Sequence, residues 1–228
     1  MVGWPRVMGC VVTLGAGMYE PGHAQRTSGS DRDALTVGEP SGLLTQRLKS
    51  ISSVLGESFV TKTTANLWGE RWAKLGTNAM ANSVCALTGV GSAANRTTPG
   101  IVDISIRIAS EVVKVGRELG VEVQPINGIS AETYEMADDA QVMEEIKTGL
   151  AEGAVELGAG RPSMLQDVMK GRRTEIDYLN GFVSEQGKKT GIPTPFCDAL
   201  VAVVREAGVG KLEPNPDNLA PVATLLQN

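Results

Sequence analysis

Histidine is almost missing from this chain. His23 is the single one among 228 residues, and the three cysteines, Cys10, Cys85 and Cys197, lie far apart. A zinc site gathers three or four close-spaced Cys, His or carboxylate ligands, so no metal site is expected. Nucleophilic triads built on an imidazole are excluded too, unless His23 itself is the base. His23 sits in Pro21-Gly22-His23, a turn signature that reads as a surface loop. An odd number of scattered cysteines reads as free thiols in a reducing compartment, which points to the cytoplasm. Aromatic residues make up only 4%, and Lys+Arg at 21 is outnumbered by Asp+Glu at 26. With no basic run and few rings, the chain offers nucleic acid neither an electrostatic footprint nor a stacking platform, so none is expected as a partner. No apolar run approaches the roughly 20 residues that span a bilayer. Arg6 followed by the mostly apolar stretch Val7 to Met18 imitates a secretory leader only thinly, since Gly9, Gly15 and Gly17 interrupt it. No membrane partner is expected.

What is present suits an ordinary globular protein: 42% hydrophobic and 21% charged residues, in a chain long enough to bury a core without staples. Residues 7–14 are rich in β-branched side chains and read as a buried strand. Residues 15–34 are polar and turn-rich. Ala34 to Val37 and Ser58 to Thr61 read as short strands, and Leu44, Leu48, Ile51 and Leu55 as an amphipathic helix. From about Asn66 the pattern is helix after helix. Candidates are Trp68 to Leu87, Ile101 to Leu119, Gln141 to Leu157, Ser163 to Lys170, Thr174 to Lys189 and Pro195 to Ala207. The stripe Ile101, Ile104, Ile108, Val112, Val115 and Leu119 fits either a core helix or a dimer face. The tail beyond Leu212 carries turn residues and is expected along the surface.

Gly15-Ala16-Gly17 follows a strand and invites a dinucleotide-binding reading. The fingerprint G-x-G-x-x-G ends in a glycine that opens a tightly packed helix. Here Glu20 occupies that place, and Pro21-Gly22 blocks a helix, so the glycines are expected to shape a strand-end turn. No other G-x-G-x-x-G and no G-x-x-x-x-G-K-[ST] occurs.

Two clusters carry a chemical signal. In the first, Lys74, Asn78 and Asn82 recur every four residues, which puts them on one helix face. Amides both donate and accept hydrogen bonds, and a lysine donates charge and a proton, so the face can hold a carbonyl or hydroxyl. Spacing alone fits a solvated face equally. The second cluster runs Pro162-Ser163-Met164-Leu165-Gln166-Asp167, then Arg172 to Gly181. Ser163 with Gln166 has the form of a capping box, Gly171 is a natural helix stop, and Thr174 is a second possible cap. On one straight helix Ser163 and Glu175 would lie about 18 Å apart; a break near Gly171 could bring both to one site. Ordinary caps and charges explain the same residues.

Together the clusters resemble the C-terminal domain of the ketopantoate reductases (2-dehydropantoate 2-reductases). The resemblance rests on Arg71-Trp72-Ala73-Lys74-Leu75 with Asn78 and Asn82, on Ser163 to Val168, on the Thr174-Glu175-Ile176-Asp177-Tyr178-Leu179-Asn180-Gly181 stretch, and on Gly191-Ile192-Pro193-Thr194-Pro195. It spans roughly residues 66 to 210. It implies an α/β remnant of a Rossmann-type NADP-binding domain over 1–66, followed by an all-α multi-helix domain over 67–228. It further implies NADPH as cofactor and a small 2-keto acid, 2-dehydropantoate by default, as substrate. By the resemblance Lys74 is the general acid, Asn78 and Asn82 hold substrate oxygens, and Ser163 donates to the substrate carboxylate. Glu175 grips the substrate hydroxyl and contacts the cofactor. The resemblance also places the family's phosphate-binding turn ahead of Met1, so that this sequence holds no segment to grip the cofactor phosphates. A second reading stays open, that of a truncated, catalytically inactive paralogue serving as a dimerisation or binding module.

Overall fold

The computed structural model describes residues 3–26, 33–155, 157 and 160–227. The chain divides into two units, Met1–Lys74 and Leu75–Asn228. The first holds strands β1 (Gly9–Val12), β2 (Ala16–Glu20), β3 (His23–Arg26) and β4 (Leu35–Gly38), helix α1 (Gln46–Gly56) and strand β5 (Thr61–Thr64). Strands β1, β4 and β5 form one sheet in that order. β4 is antiparallel to β1 and parallel to β5. A parallel pair needs a crossover, and α1 supplies it. As the central strand β4 is buried along its length, in keeping with its apolar run.

Helix α1 begins at Thr45, whose side chain accepts from Leu48 N–H and donates to the Glu39 carboxylate at 2.5 Å. Glu39 also receives Nε and a terminal nitrogen of Arg47 at 2.7 and 2.5 Å. These bonds hold its carboxyl at about 2, well below the usual carboxylate range. The clamp ties the strand end to the first turn of α1.

β2 and β3 form a separate hairpin in the segment that the sequence presents as loop. Glu20 pairs with His23 across Pro21-Gly22, and Gly22 takes φ +80°, as a two-residue turn of proline followed by a left-handed glycine requires. β3 is exposed throughout, so this strand has no buried face and hence no hydrophobic alternation to announce it. His23 accordingly opens an exposed strand. β5 lies three residues beyond its sequence-based position, because residues Thr61 to Thr64, not the more apolar Phe59 and Val60, pair with β4.

A three-stranded sheet with two open edges holds its backbone weakly. Val12, Leu43, Leu44 and Val54 are all at least half exposed. Amides in residues 7–26 and 33–61 are therefore expected to exchange with solvent faster than those of residues 68–88 in native-state hydrogen exchange. Equal protection would show that the opening segment is stabilised in another way.

Helix α2 (Leu67–Thr88) leads into the second unit, which is otherwise built of helices α3 (Ser92–Thr97), α4 (Ile101–Glu118), α5 (Ala131–Glu135), α6 (Ala140–Ala154), α7 (Ser163–Met169), α8 (Asn180–Thr190), α9 (Pro195–Ala207) and α10 (Ala220–Ala223). α4 is its axis, touching α3, α5, α6, α8 and α9. Ile104, Ile108, Val112 and Val115 of its stripe are fully buried, and only Leu119 at the end is exposed. The stripe is therefore core, and the dimer face allowed by the sequence is not available there. Gly76 of α2 lets Ile126 come close: a Cβ at that position would lie 2.4 Å from the Ile126 Cδ1.

Buried in α4, Glu111 accepts the N–H groups of Phe196 at 2.7 Å and of Cys197 at 2.9 Å. These are among the first amides of α9, which start a helix without an internal partner. Thr194, the residue before α9, makes no side-chain cap, so Glu111 caps the helix from a distant element. Burial pushes its carboxyl up to about 7, against the opposing pull of the two N–H bonds.

Candidate active site

The site is assembled from the middle of α2, the start of α7 and the strap that follows α7. Asn66 Oδ1 accepts the Gly69 N–H at 2.9 Å, which starts α2 in the manner of an N-cap. The helix then continues without a break through Lys74, Asn78 and Asn82, so the three residues share one face as their spacing implies. Asn82 is buried, and Lys74 and Asn78 are half-buried. Burial lowers the Lys74 pKa from its ordinary 10.5, with no charged neighbour opposing the shift.

The capping box expected of Ser163 and Gln166 does not form. Pro162 takes the cap position with φ −57°, leaving Ser163 as the first helical residue, and Gln166 Nε2 reaches back to the Arg161 carbonyl instead, at 3.0 Å. Ser163 Oγ is thereby released from helix duty. It donates to Glu175 Oε1 at 3.1 Å and accepts a long bond from Asn82 Nδ2 at 3.5 Å.

Glu175 reaches Ser163 because the chain reverses after α7. Gly171, at φ +63°, donates to the Val168 carbonyl at 3.0 Å, and Arg172 N–H donates to the Asp167 carbonyl at 2.8 Å. This is a Schellman closure, which needs a left-handed residue where glycine stands. The expected helix from Thr174 is not there. Residues 172–175 are irregular, Ile176–Tyr178 make a single 3-10 turn, and α8 starts only at Asn180. Leu179, at φ −102° and ψ −95°, breaks the two apart. Ile176 is buried and Glu175 exposed, so the strap is anchored beside the carboxylate it presents.

The structure thus brings Asn82, Ser163 and Glu175 into one hydrogen-bonded series, with Asn78 one turn and Lys74 two turns earlier on the same helix. Amide, hydroxyl and ammonium donors beside a carboxylate acceptor suit a ligand with both oxyanion and hydroxyl groups. The sequence left two residues without a role. Asn180 stood inside the quoted motif with no spacing to distinguish it, and Glu111 stood within an apolar stripe that gave no sign of a partner on α9. A shallow cavity elsewhere in the second unit, lined by Val168, Arg172, Asp177, Val204 and Arg205, includes none of Asn82, Ser163 or Glu175.

Among the described residues, the Gly15-Ala16-Gly17 segment does not fit the phosphates of a dinucleotide. Gly15-Ala16-Gly17 runs into β2, where Gly17 pairs with Gln25. No helix N-terminus follows to receive a pyrophosphate. Among the described residues no three His, Cys, Asp or Glu stand close enough to hold a metal ion, and no helix is long and apolar enough to cross a membrane.

Residues 66–208 match the family model described as ketopantoate reductase PanE/ApbA C terminal. The chain belongs to that family. A 2-dehydropantoate 2-reductase of Mesorhizobium japonicum is 29% identical over 209 residues, covering 91% of this chain and 57% of the relative. A solved structure from Ralstonia solanacearum, assigned to the ketopantoate reductases, is 28% identical with a TM-score of 0.69, covering 90% of this chain and 56% of that one. A D-mandelate dehydrogenase solved with NADH reaches the same TM-score of 0.69 at 23% identity, over 90% of this chain and 63% of that one; this shows a shared fold. The chain spans a little over half the length of these relatives. The mixed sheet followed by a multi-helix unit is the architecture that the resemblance implies.

Proposed function

We propose that this chain forms the substrate-binding and proton-donating part of an NADPH-dependent 2-keto acid reductase, with 2-dehydropantoate as the substrate and pantoate as the product. On this reading residues 1–66 are the end of the nucleotide-binding domain and residues 67–228 the helical domain. The observation that carries it is the Asn82–Ser163–Glu175 series, formed by residues 93 positions apart in the chain. Reduction of a ketone needs a hydride, which a reduced nicotinamide cofactor supplies when bound. The other tasks fall to this chain. Ser163 donates to the substrate carboxylate, Asn78 and Asn82 hold its oxygens, and Glu175 accepts the hydroxyl. Lys74 gives the proton that turns the carbonyl oxygen into the product hydroxyl. An ammonium beside that oxygen also stabilises the negative charge that grows on it. Desolvation makes Lys74 a stronger acid than a free lysine.

Calorimetric titration with 2-dehydropantoate tests the proposal. The wild-type chain is expected to bind, and Ser163→Ala and Glu175→Ala to bind roughly tenfold or more weakly, as fits the loss of a hydrogen bond to a charged group. Wild-type binding that neither substitution weakens would overturn the site, and no binding at all would overturn the substrate assignment.

A further inference from the structure

We infer that Asn180 is a positioning residue, which fixes the distance between the amides of α2 and the carboxylate of Glu175. The inference rests on the proposed substrate site and adds to it a residue that touches no ligand.

Asn180 opens α8 and is fully buried. Its Nδ2 donates to the Ala79 carbonyl at 3.2 Å and faces Cys197 Sγ at 3.7 Å. Its Oδ1 is buried and, among the described residues, unpartnered. A buried acceptor without a partner weakens a fold. An apolar side chain of similar size would avoid that cost, so packing does not explain an amide here. What the amide does is hold Ala79, the residue between Asn78 and the turn that carries Asn82. From the other side Asn180 lies five residues after Glu175, beyond the single 3-10 turn. The connections close a ring. Asn82 bonds to Ser163, Ser163 to Glu175, the strap leads from Glu175 to Asn180, Asn180 bonds to Ala79, and one turn of α2 leads back to Asn82. Glu175 is therefore tied to α2 twice, once through Ser163 and once through the backbone that Asn180 anchors. Cutting the second tie frees the strap to move while Ser163 alone restrains it.

The experiment compares Asn180→Leu with Ser184→Ala in the full chain. Ser184 lies one turn further along α8, and its Oγ is likewise buried without a partner, so its loss reports the removal of a buried polar group alone. The Ala79 carbonyl keeps its bond from Ser83 Oγ at 2.8 Å, so Asn180→Leu orphans nothing on α2, and its Tm is expected to stay within about 3 °C of wild type. The side-chain amide protons of Asn82 are expected to exchange with solvent at least tenfold faster in Asn180→Leu, and the affinity for 2-dehydropantoate to fall at least fivefold. Ser184→Ala should change neither. Unchanged Asn82 exchange in a folded Asn180→Leu protein would overturn the inference, whatever happens to ligand binding. If the wild type fails to bind the keto acid but Asn82 still loosens, the positioning role stands and the substrate assignment falls. Should Asn180→Leu not fold, the wild type decides by nuclear magnetic resonance. Slow exchange of the Asn180 amide protons together with through-space contacts to the Ser83 side chain supports the tie, and exchange at the rate of an exposed amide overturns it.

Discussion

Replacing Lys74 by alanine is expected to lower kcat for 2-keto acid reduction by about 10²–10⁴-fold, the range for removing a general acid. The measurement needs a form of the protein competent in NADPH-dependent turnover. KM should change far less, because the proposed grip of Asn78, Asn82 and Ser163 on the substrate does not involve Lys74. A loss below tenfold would remove Lys74 from the proton-donor role. The pH profile gives an independent check. Burial lowers the Lys74 pKa below 10.5, and only the ammonium can donate. Activity should therefore fall on the alkaline side, with its midpoint below that of an exposed lysine. The Lys74→Ala variant should lose that alkaline limb.

The second large effect is on stability. Glu111→Ala leaves the Phe196 and Cys197 amides at the start of α9 without an acceptor in a site that water does not reach. A cost of about 2–4 kcal/mol is expected in denaturant unfolding, the sum of two unsatisfied buried donors less what relaxation recovers. The wild type should also respond to pH in a definite direction. Its Glu111 carboxyl is pushed up to about 7 from an ordinary 4.5, so the folded state holds the proton more tightly than the unfolded chain. The stabilisation is complete below about pH 4.5 and is lost as the pH rises through about 7, by about 3 kcal/mol at most. Glu111→Gln keeps the shape and cannot titrate. The difference in unfolding free energy between wild type and Glu111→Gln should therefore shift between pH 5 and pH 8. A difference that stays constant would show that Glu111 does not titrate in this window.

The sequence disclosed the helices well where a buried face repeats. The stripe of α4 and the spacing of Lys74, Asn78 and Asn82 both depend on period alone, and both elements are where period puts them. It disclosed less where structure depends on backbone pairing without burial. β3 has no buried face, and Thr61 to Thr64 form a strand only because β4 offers an edge. The cap of α7 and the start of α8 differ from the sequence reading for another reason. Ser163 and Thr174 are good caps, but a cap acts only if the neighbouring backbone allows it, and Pro162 and Leu179 decide otherwise. The members of the proposed site come from the resemblance. A break near Gly171 that brings Ser163 and Glu175 together was legible too; the bond from Asn82 was not, because it depends on a serine left free of its usual local work.

That freedom has an evolutionary side. A serine that caps a helix couples recognition to folding, so each change in its side chain is also a mutation of stability. At position 163 the two are separated: proline sets the helix start, and the hydroxyl is bonded to Asn82 and Glu175 instead of to the helix. On the proposed reading, substitution there changes the ligand contact while α7 stays intact, making this position a place where specificity can drift without first undermining the scaffold.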